Sequence, residues 1–557
     1  MRALGLTACL AVAVLAVPAI ASAQEEEPRP LPPLAPSPHD DLGRALARGE
    51  LDEAGYALER ARSVFQLARA RREWGDVERA GRRDATMLLR DLALRVDELT
   101  GADRTAARRL LARPDGGGVP IGNGWTSSES ANSPLCSLVP GVELCLHWVD
   151  GPGDPAAPDP VDDDPFNGIP DFVDLALATL EYVWAREIGD LGYRAPLSDG
   201  DSSNDGGDGR LDVYLEDLGS AQVFGYCTSD DPDAGSDVYA VSAYCVLDED
   251  FREFGTAHSP QEFLEVTAAH EFHHASQFAY DWLEDSWLLE GTAANIEETV
   301  FPEVDDNVNF LSYSPLTRPW SALDRGGLGD SEYGAWIFWR FLEEKVAGDP
   351  AILREIWERV DAHDPDPATP GDEPPDDYSL RALRRELGQR GHAFADVFAR
   401  FGVVNRRGSY ADGDTAGYPV PPLSRVFRIG GGAGWKPERR TRLQHLATRF
   451  FAFVPRATAP RRGDLRLRLT VPRHGGRASV LVVRRDGTTT SRVYRKEGTL
   501  GRRVEFGRAR VKRVELALSN GSTRTRCWRD TVPPSYSCYG TPRDNRRLFR
   551  FRVRLAP

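Results

Sequence analysis

His270 and His274 stand four residues apart in the run Thr267-Ala268-Ala269-His270-Glu271-Phe272-His273-His274. On a helix of 3.6 residues per turn this spacing places both imidazoles on one face, about 40° apart, where they can ligate one metal ion. Glu271 then projects beside the metal, in position to take a proton from water that zinc acidifies to a pKa of about 7. A third ligand comes from Glu290, at the start of a second helix in Trp287-Leu288-Leu289-Glu290-Gly291-Thr292-Ala293; Glu284, Glu297 and Glu298 are its rivals. Two histidines and one carboxylate leave a fourth position open, the pattern of catalytic rather than structural zinc. The chemistry these residues point to is metal-assisted hydrolysis.

Other residues near the motif read differently. His273 lies about 100° round the helix from His274 and reads as a packing or capping residue. Tyr333, opening the helical run 333–339, is the candidate donor to the oxyanion of a hydrolytic transition state, with a place in an apolar core as the competing reading. Asp163, Asn167, Asp171 and Asp174 fall near positions 1, 5, 9 and 12 of an EF-hand-like loop with Gly168 at its turn, which suggests Ca2+; Pro165 removes the usual third-position oxygen. A second oxygen-rich loop spans residues 199–212.

These motifs resemble the gluzincin branch of the zincin metallopeptidases, whose second signature is a Glu-Gly-x-Ala element after HExxH. More closely, the chain is similar to a group of secreted bacterial zinc metalloproteases built around HEFxH, a downstream EGTA element, an NGxPDxV segment and an LDVYL strand. Here these are residues 270–274, 290–293, 167–173 and 211–215, and the resemblance spans residues 42–402. It implies a zincin-like catalytic domain, one Zn2+ and hydrolysis of peptide bonds. The connection from His274 to Glu290 is shorter by about one helical turn than in the best-known gluzincins. Ala294 stands where related enzymes often carry a carboxylate that orients a ligating histidine, leaving Asn295 as a substitute. Gln277 and Tyr280 exclude the metzincin pattern.

The elements that must position these groups follow from hydrophobic periodicity. Helices are expected over 262–280 and 287–299, then over 333–346, 351–360, 380–387 and 392–401, with an acidic Pro-rich loop at 361–377. Short strand-like runs at 144–149, 211–215 and 238–247 precede them, interrupted by a helix at 171–188; the run 238–247 is the expected strand edge for a peptide. After residue 430 the period becomes two. Leu465, Leu467, Leu469 and Val471 alternate with arginines, as do Phe549, Phe551, Val553 and Leu555, and Asp486-Gly487 and Asn520-Gly521 read as hairpin turns. The fold class is α+β, with an N-terminal helical region, a zincin-like domain over 119–430 and an Arg-rich all-β sandwich over 431–557.

A chain of 557 residues with 41% hydrophobic content can bury two or three cores, which excludes a lone small module and a wholly disordered chain. Residues 1–23 read as a signal peptide, with an apolar run ending in Ala21-Ser22-Ala23; an uncleaved anchor, which needs about 20 apolar residues, is the alternative. The Glu- and Pro-rich residues 24–38 read as a disordered linker. The helical residues 39–118 read as a propeptide covering the cleft or as a permanent accessory domain, and without a mature cysteine they cannot form a thiol-on-metal latch. The remaining six cysteines pair as neighbours, 136 with 145, 227 with 245 and 527 with 538, in an oxidising, extracellular compartment. No membrane span is expected after signal removal.

Charge is divided unevenly. Residues 441–557 carry 29 basic and 7 acidic side chains, net +22, whereas the chain as a whole is at −16. With no nucleic-acid fingerprint, the basic region is expected to meet the acidic body or an anionic cell-wall surface. The leading reading is a secreted zinc peptidase acting on a protein or peptide substrate. The alternative is a non-catalytic surface-binding or adhesion protein with a vestigial zinc site.

Overall fold

Asp40 and Asp52 start the first two helices, each accepting a 2.7 Å hydrogen bond from a backbone N–H of the first turn, at Gly43 and Gly55. The computed structural model describes residues 31–556 other than 33, 35, 37–39, 80–82, 116–124, 126–133, 152, 164, 232–233, 235–238, 327–330, 362–376, 414–415, 433 and 528–535. The expected signal peptide, most of the linker and nearly all of the acidic Pro-rich loop lie outside the described residues. The N-terminal region comprises α1 (Asp41–Arg48), α2 (Glu53–Phe65), α3 (Leu67–Trp74), α4 (Thr86–Ala93) and α5 (Gly101–Leu110).

A five-stranded sheet follows, from β1 (Leu135–Cys136), β2 (Leu144–His147), β3 (Leu211–Glu216), β4 (Gly225–Thr228) and β5 (Tyr244–Asp248), with α6 (Asp171–Trp184) between β2 and β3. Its order is β1-β2-β3-β5-β4; β2, β3 and β5 run parallel, and the outer strands are antiparallel to their neighbours. The strand edge expected at 238–247 is therefore corrected: β5 is paired on both sides, and β4 is the outermost strand. Cys136 and Cys145 are directly opposed across β1 and β2, as are Cys227 and Cys245 across β4 and β5, and both pairs are disulfide-bonded; Cys527 and Cys538 form the third bridge.

Ser259 caps the central helix α7 (Pro260–Asp281) through a reciprocal bond with Glu262, with Pro260 at the first helical position where its missing N–H costs nothing. Four residues connect it to α8 (Ser286–Val300), and α9 (Trp336–Phe341), α10 (Ala351–Val360), α11 (Leu380–Gln389) and α12 (Phe394–Arg407) complete the helical layer. Both α6 and α9 continue into one wider π-helical turn, at Ala185–Asp190 and Leu342–Ala347. Gly291 is required by packing: a Cβ there would lie 2.5 Å from the Trp339 indole nitrogen, and Trp339 stacks on Trp287 at 5.0 Å. Among the described residues no helix is long and apolar enough to cross a membrane.

The C-terminal region is β-rich. It contains β6 (Leu423–Ile429), β7 (Arg439–Leu443), β8 (Ala447–Pro455), β9 (Asp464–Val471), β10 (Gly476–Arg484), β11 (Thr489–Tyr494), β12 (Gly498–Glu505), β13 (Val511–Asn520), β14 (Thr525–Arg526), β15 (Thr541–Pro542) and β16 (Arg547–Ala556). Sheets of order β11-β10-β13-β8-β6 and β12-β9-β16-β7 enclose one core, in which Leu465, Leu467, Leu469, Phe549, Phe551 and Val553 are buried while the intervening arginines face outward. The sandwich begins at Leu423 rather than at 431, because β6 pairs in parallel with β8. Asp486-Gly487 turns β10 into β11, with Gly487 at φ +87°. Asn520-Gly521 makes no hairpin; Gly521 instead lets α12 approach, its virtual Cβ 3.0 Å from the Ala395 backbone.

The N-terminal helices do not close a core of their own. Leu58, Leu89 and Leu92 share one hydrophobic cluster with Tyr214, Tyr226, Tyr244 and Val246 from the sheet. A charge anchors the join: Arg113 donates to Asp199 and Asp230 at 2.7 and 2.8 Å and pairs with Asp212, with Arg113, Asp199 and Asp212 all buried. The expected oxygen-rich loop 199–212 is thus occupied by an arginine from the same chain. Breaking one partner of a buried ion set strands the others, so Arg113→Met is expected to lower stability by about 3–5 kcal/mol in urea unfolding; an unchanged midpoint contradicts this role.

Candidate metal centre

Helical spacing places His270 and His274 on one face of α7, their ring centroids 4.9 Å apart. Glu290, on the second turn of α8, brings Oε2 to 3.5 Å from His270 Nε2 and 3.7 Å from His274 Nε2. All three atoms are buried and have no hydrogen-bond partner. Those separations lie close to the edges, about 3.3–3.6 Å, of a ligand tetrahedron with bonds of about 2.0–2.2 Å, the distances zinc takes to nitrogen and carboxylate oxygen.

The other ring nitrogens are held. His270 Nδ1 lies 2.7 Å from Glu297 Oε1, and His274 Nδ1 lies 2.7 Å from Gln277 Oε1. Gln277 is itself fixed, because its Nε2 donates to the Leu289 carbonyl at 3.0 Å and to Thr292 Oγ1 at 2.9 Å. Each imidazole thus has an acceptor at Nδ1 and turns Nε2 toward Glu290, the arrangement in which metal-bound histidines are held by their outer partners. Glu297, expected as a rival ligand, is such a partner. Gln277 is another, and had served only to exclude a different motif. Asn295 donates to Glu343 at 3.0 Å instead. The remaining rivals are engaged elsewhere: Glu284 accepts from the backbone N–H groups of Asp285 and Ser379, and Glu298 from Asn307.

Glu271 lies on the next face of α7, against β4. A Cβ at Gly225 would come within 2.8 Å of Glu271 Cγ, so only glycine admits this approach. Burial, reinforced by the charge of Asp84, raises the Glu271 carboxyl well above the ordinary glutamate value. For Glu290 burial acts in the same direction, but the two imidazoles hold it below the usual carboxylate range. Tyr333 stacks on His270 at 5.8 Å and on Phe310 at 4.8 Å. His273 is a packing residue: its Nδ1 sits 2.7 Å from Glu187 Oε2 on the π-helical turn after α6, and its ring meets Tyr193 edge-on. Burial pushes the Glu187 carboxyl up and the His273 imidazole down.

A fourth group reaches the centre without any signal from the motif. A carboxylate oxygen of Asp84, between α3 and α4, belongs with the His270, His274 and Glu290 ligand atoms to one set lying within 4.8 Å of one another. Tyr333 Oη donates to Asp84 Oδ2 at 2.8 Å, and Thr86 Oγ1 donates to Glu271 Oε2 at 3.1 Å. Four buried carboxyl groups, from Asp84, Glu271, Glu290 and Glu297, thus surround two imidazoles, a donor set that a divalent cation neutralises.

The residues expected to hold calcium are drawn into their own loop. Asp171 Oδ1 accepts from the Asp163 N–H at 3.1 Å, Asp174 Oδ2 from the Asn167 side-chain amide at 2.9 Å, and Asp162 from the N–H groups of Asn167 and Gly168. An acidic set that the motifs did not indicate, Asp248, Glu249, Asp250 and Glu253, does converge at the C-terminal end of β5. Burial and neighbouring charge push Asp248 up to about 7 and Glu249 up to about 10.

No model of a known protein family matches the chain, and no curated protein does. The geometry therefore carries the functional reading. Because Glu297 fixes the His270 ring, Glu297→Ala is expected to weaken zinc affinity by about 10–100-fold in competition with a chelator; unchanged affinity contradicts its orienting role.

Proposed function

We propose that the protein is a secreted zinc-dependent peptidase with a zincin-like catalytic domain of gluzincin type. The observation that carries this reading is the convergence of three buried, unpartnered ligand atoms from α7 and α8, with Glu271 one position along α7. Zinc bound there supplies a Lewis acid that polarises a carbonyl and acidifies water. Glu271 accepts the proton of the attacking water and returns it to the leaving amine. Tyr333 donates a hydrogen bond to the developing oxyanion. The outer edge of β4, once cleared of residues 83–86, aligns an extended peptide through its backbone groups.

For the C-terminal sandwich we propose docking on an anionic cell-wall polymer. Arg466, Arg468, Arg502, Arg503 and Arg554 line a groove beside Trp435, over which the Arg552 and Arg554 guanidinium groups lie at 5.0 Å. The oriented second sphere around both histidines favours a working centre over a vestigial one.

In a chain that also carries Asp84→Ala, which clears the side chain grouped with the ligand atoms, Glu271→Gln is expected to retain one zinc and lose hydrolysis of a peptide library; equal activity with and without that change ends the mechanism. Retention on isolated cell walls is expected to fall steeply toward about 1 M salt, where the screening length is about 3 Å; undiminished retention there removes the proposed role of the arginines.

A further inference from the structure

We infer that residues 83–86 occupy the substrate's place, with Asp84 as the fourth ligand of the metal, so that the N-terminal helical region holds the peptidase latent. The inference rests on the reading of the site as a zinc peptidase and names its regulation.

Each group that the reaction needs is engaged by this short segment. The open coordination position is taken by the Asp84 carboxylate, grouped with the ligand atoms of His270, His274 and Glu290. The general base is engaged by Thr86 Oγ1, 3.1 Å from Glu271 Oε2. The oxyanion donor is spent on Asp84 Oδ2, 2.8 Å from Tyr333 Oη. The edge that would receive a peptide is bridged instead by Asp84, paired in parallel fashion with Gly225. The Arg83 carbonyl accepts from the Phe224 and Gly225 N–H groups at 2.6 and 3.3 Å, and Thr86 Oγ1 accepts from the Cys227 N–H at 2.9 Å. What remains between Arg83, Phe224, His270, Glu271 and Tyr333 is a space of about 20 Å³, room for a single water molecule and not for a peptide.

The segment is held in place under strain. Arg83 has φ +134°, a conformation that non-glycine residues rarely adopt and that persists only where surroundings over-determine it. Its guanidinium lies 4.4 Å from the Phe224 ring centroid and 5.2 Å from that of Phe310, and pairs with Asp306. One turn into α4, Arg90 donates to the carbonyls of Trp282 and Glu284, where α7 gives way to α8. Asp84 is thereby clamped between two arginines that both grip the catalytic body. The sequence-level objection that no cysteine is present to cover the metal is met by a carboxylate, which ligates zinc as well.

The test uses the full chain loaded with cobalt(II), whose visible spectrum reports its ligands, and acetohydroxamate as a small probe for the fourth position. Asp84→Ala and Asp84→Asn are expected to bind the probe roughly 10–1,000-fold more tightly than the unaltered chain, the range for an open state populated at about 0.1–10%. The Asn variant keeps the side-chain shape, so loss of fold cannot imitate the effect. Equal affinity in all three proteins overturns the latch and leaves the metal centre standing. If the unaltered chain takes up no cobalt that His270→Ala loses, the metal centre falls and the latch with it.

Discussion

Two imidazole nitrogens and a carboxylate oxygen, buried and facing one another without a donor between them, are the constraint on which the rest of the molecule turns. Lone pairs withdrawn from water and left unmatched are costly, and crowding several of them is costlier still. A cation at their centre converts that penalty into attraction, so the arrangement makes physical sense as a ligand cage. Around it the helices are organised to keep the three atoms aimed: Gln277 is clamped from α8, Glu297 reaches back from the same helix, and Gly291 lets the Trp339 indole lock α8 against α9.

That cage is only as rigid as what surrounds it. The sheet contributes β4, whose Gly225 admits Glu271, and the π-helical turn after α6 contributes Glu187 as the partner of His273. The His273–Glu187 pair spends the third histidine of α7 on packing, away from the other two. The N-terminal helices share their apolar core with the tyrosine-rich face of the sheet, so they belong to the body's folding unit rather than riding on it.

How far the letters of the chain disclose this depends on sequence distance. His270, Glu271 and His274 are one helical turn, and their geometry follows from the 3.6-residue repeat alone. Glu290 and Glu297 are seven residues apart on one face of α8, a spacing that places them together but does not say which ligates and which supports. Asp84 and Arg113 were illegible: their partners lie far along the chain, and neither sits in a periodic pattern that betrays the contact. Short strands misled in the same way, since β4 and β5 are of four and five residues and nothing local tells which is the outer one. The sandwich was plainer, because two-residue alternation writes burial directly into the order of leucines and arginines. Its start at Leu423 was missed because β6, largely exposed, lacks that alternation.

The bridge between Cys227 and Cys245 has a consequence for where this protein can be made. It joins directly opposed residues of the rim strand and its inner neighbour. Sliding that rim by one residue would turn every side chain to the opposite face and carry Gly225 away from Glu271. Once oxidised, the sulfurs forbid the slip; while reduced, only noncovalent contacts oppose it. Correct assembly of the cleft is thereby coupled to the redox state of the compartment in which the chain folds, and a cytosolic copy would lack the covalent check on its own register.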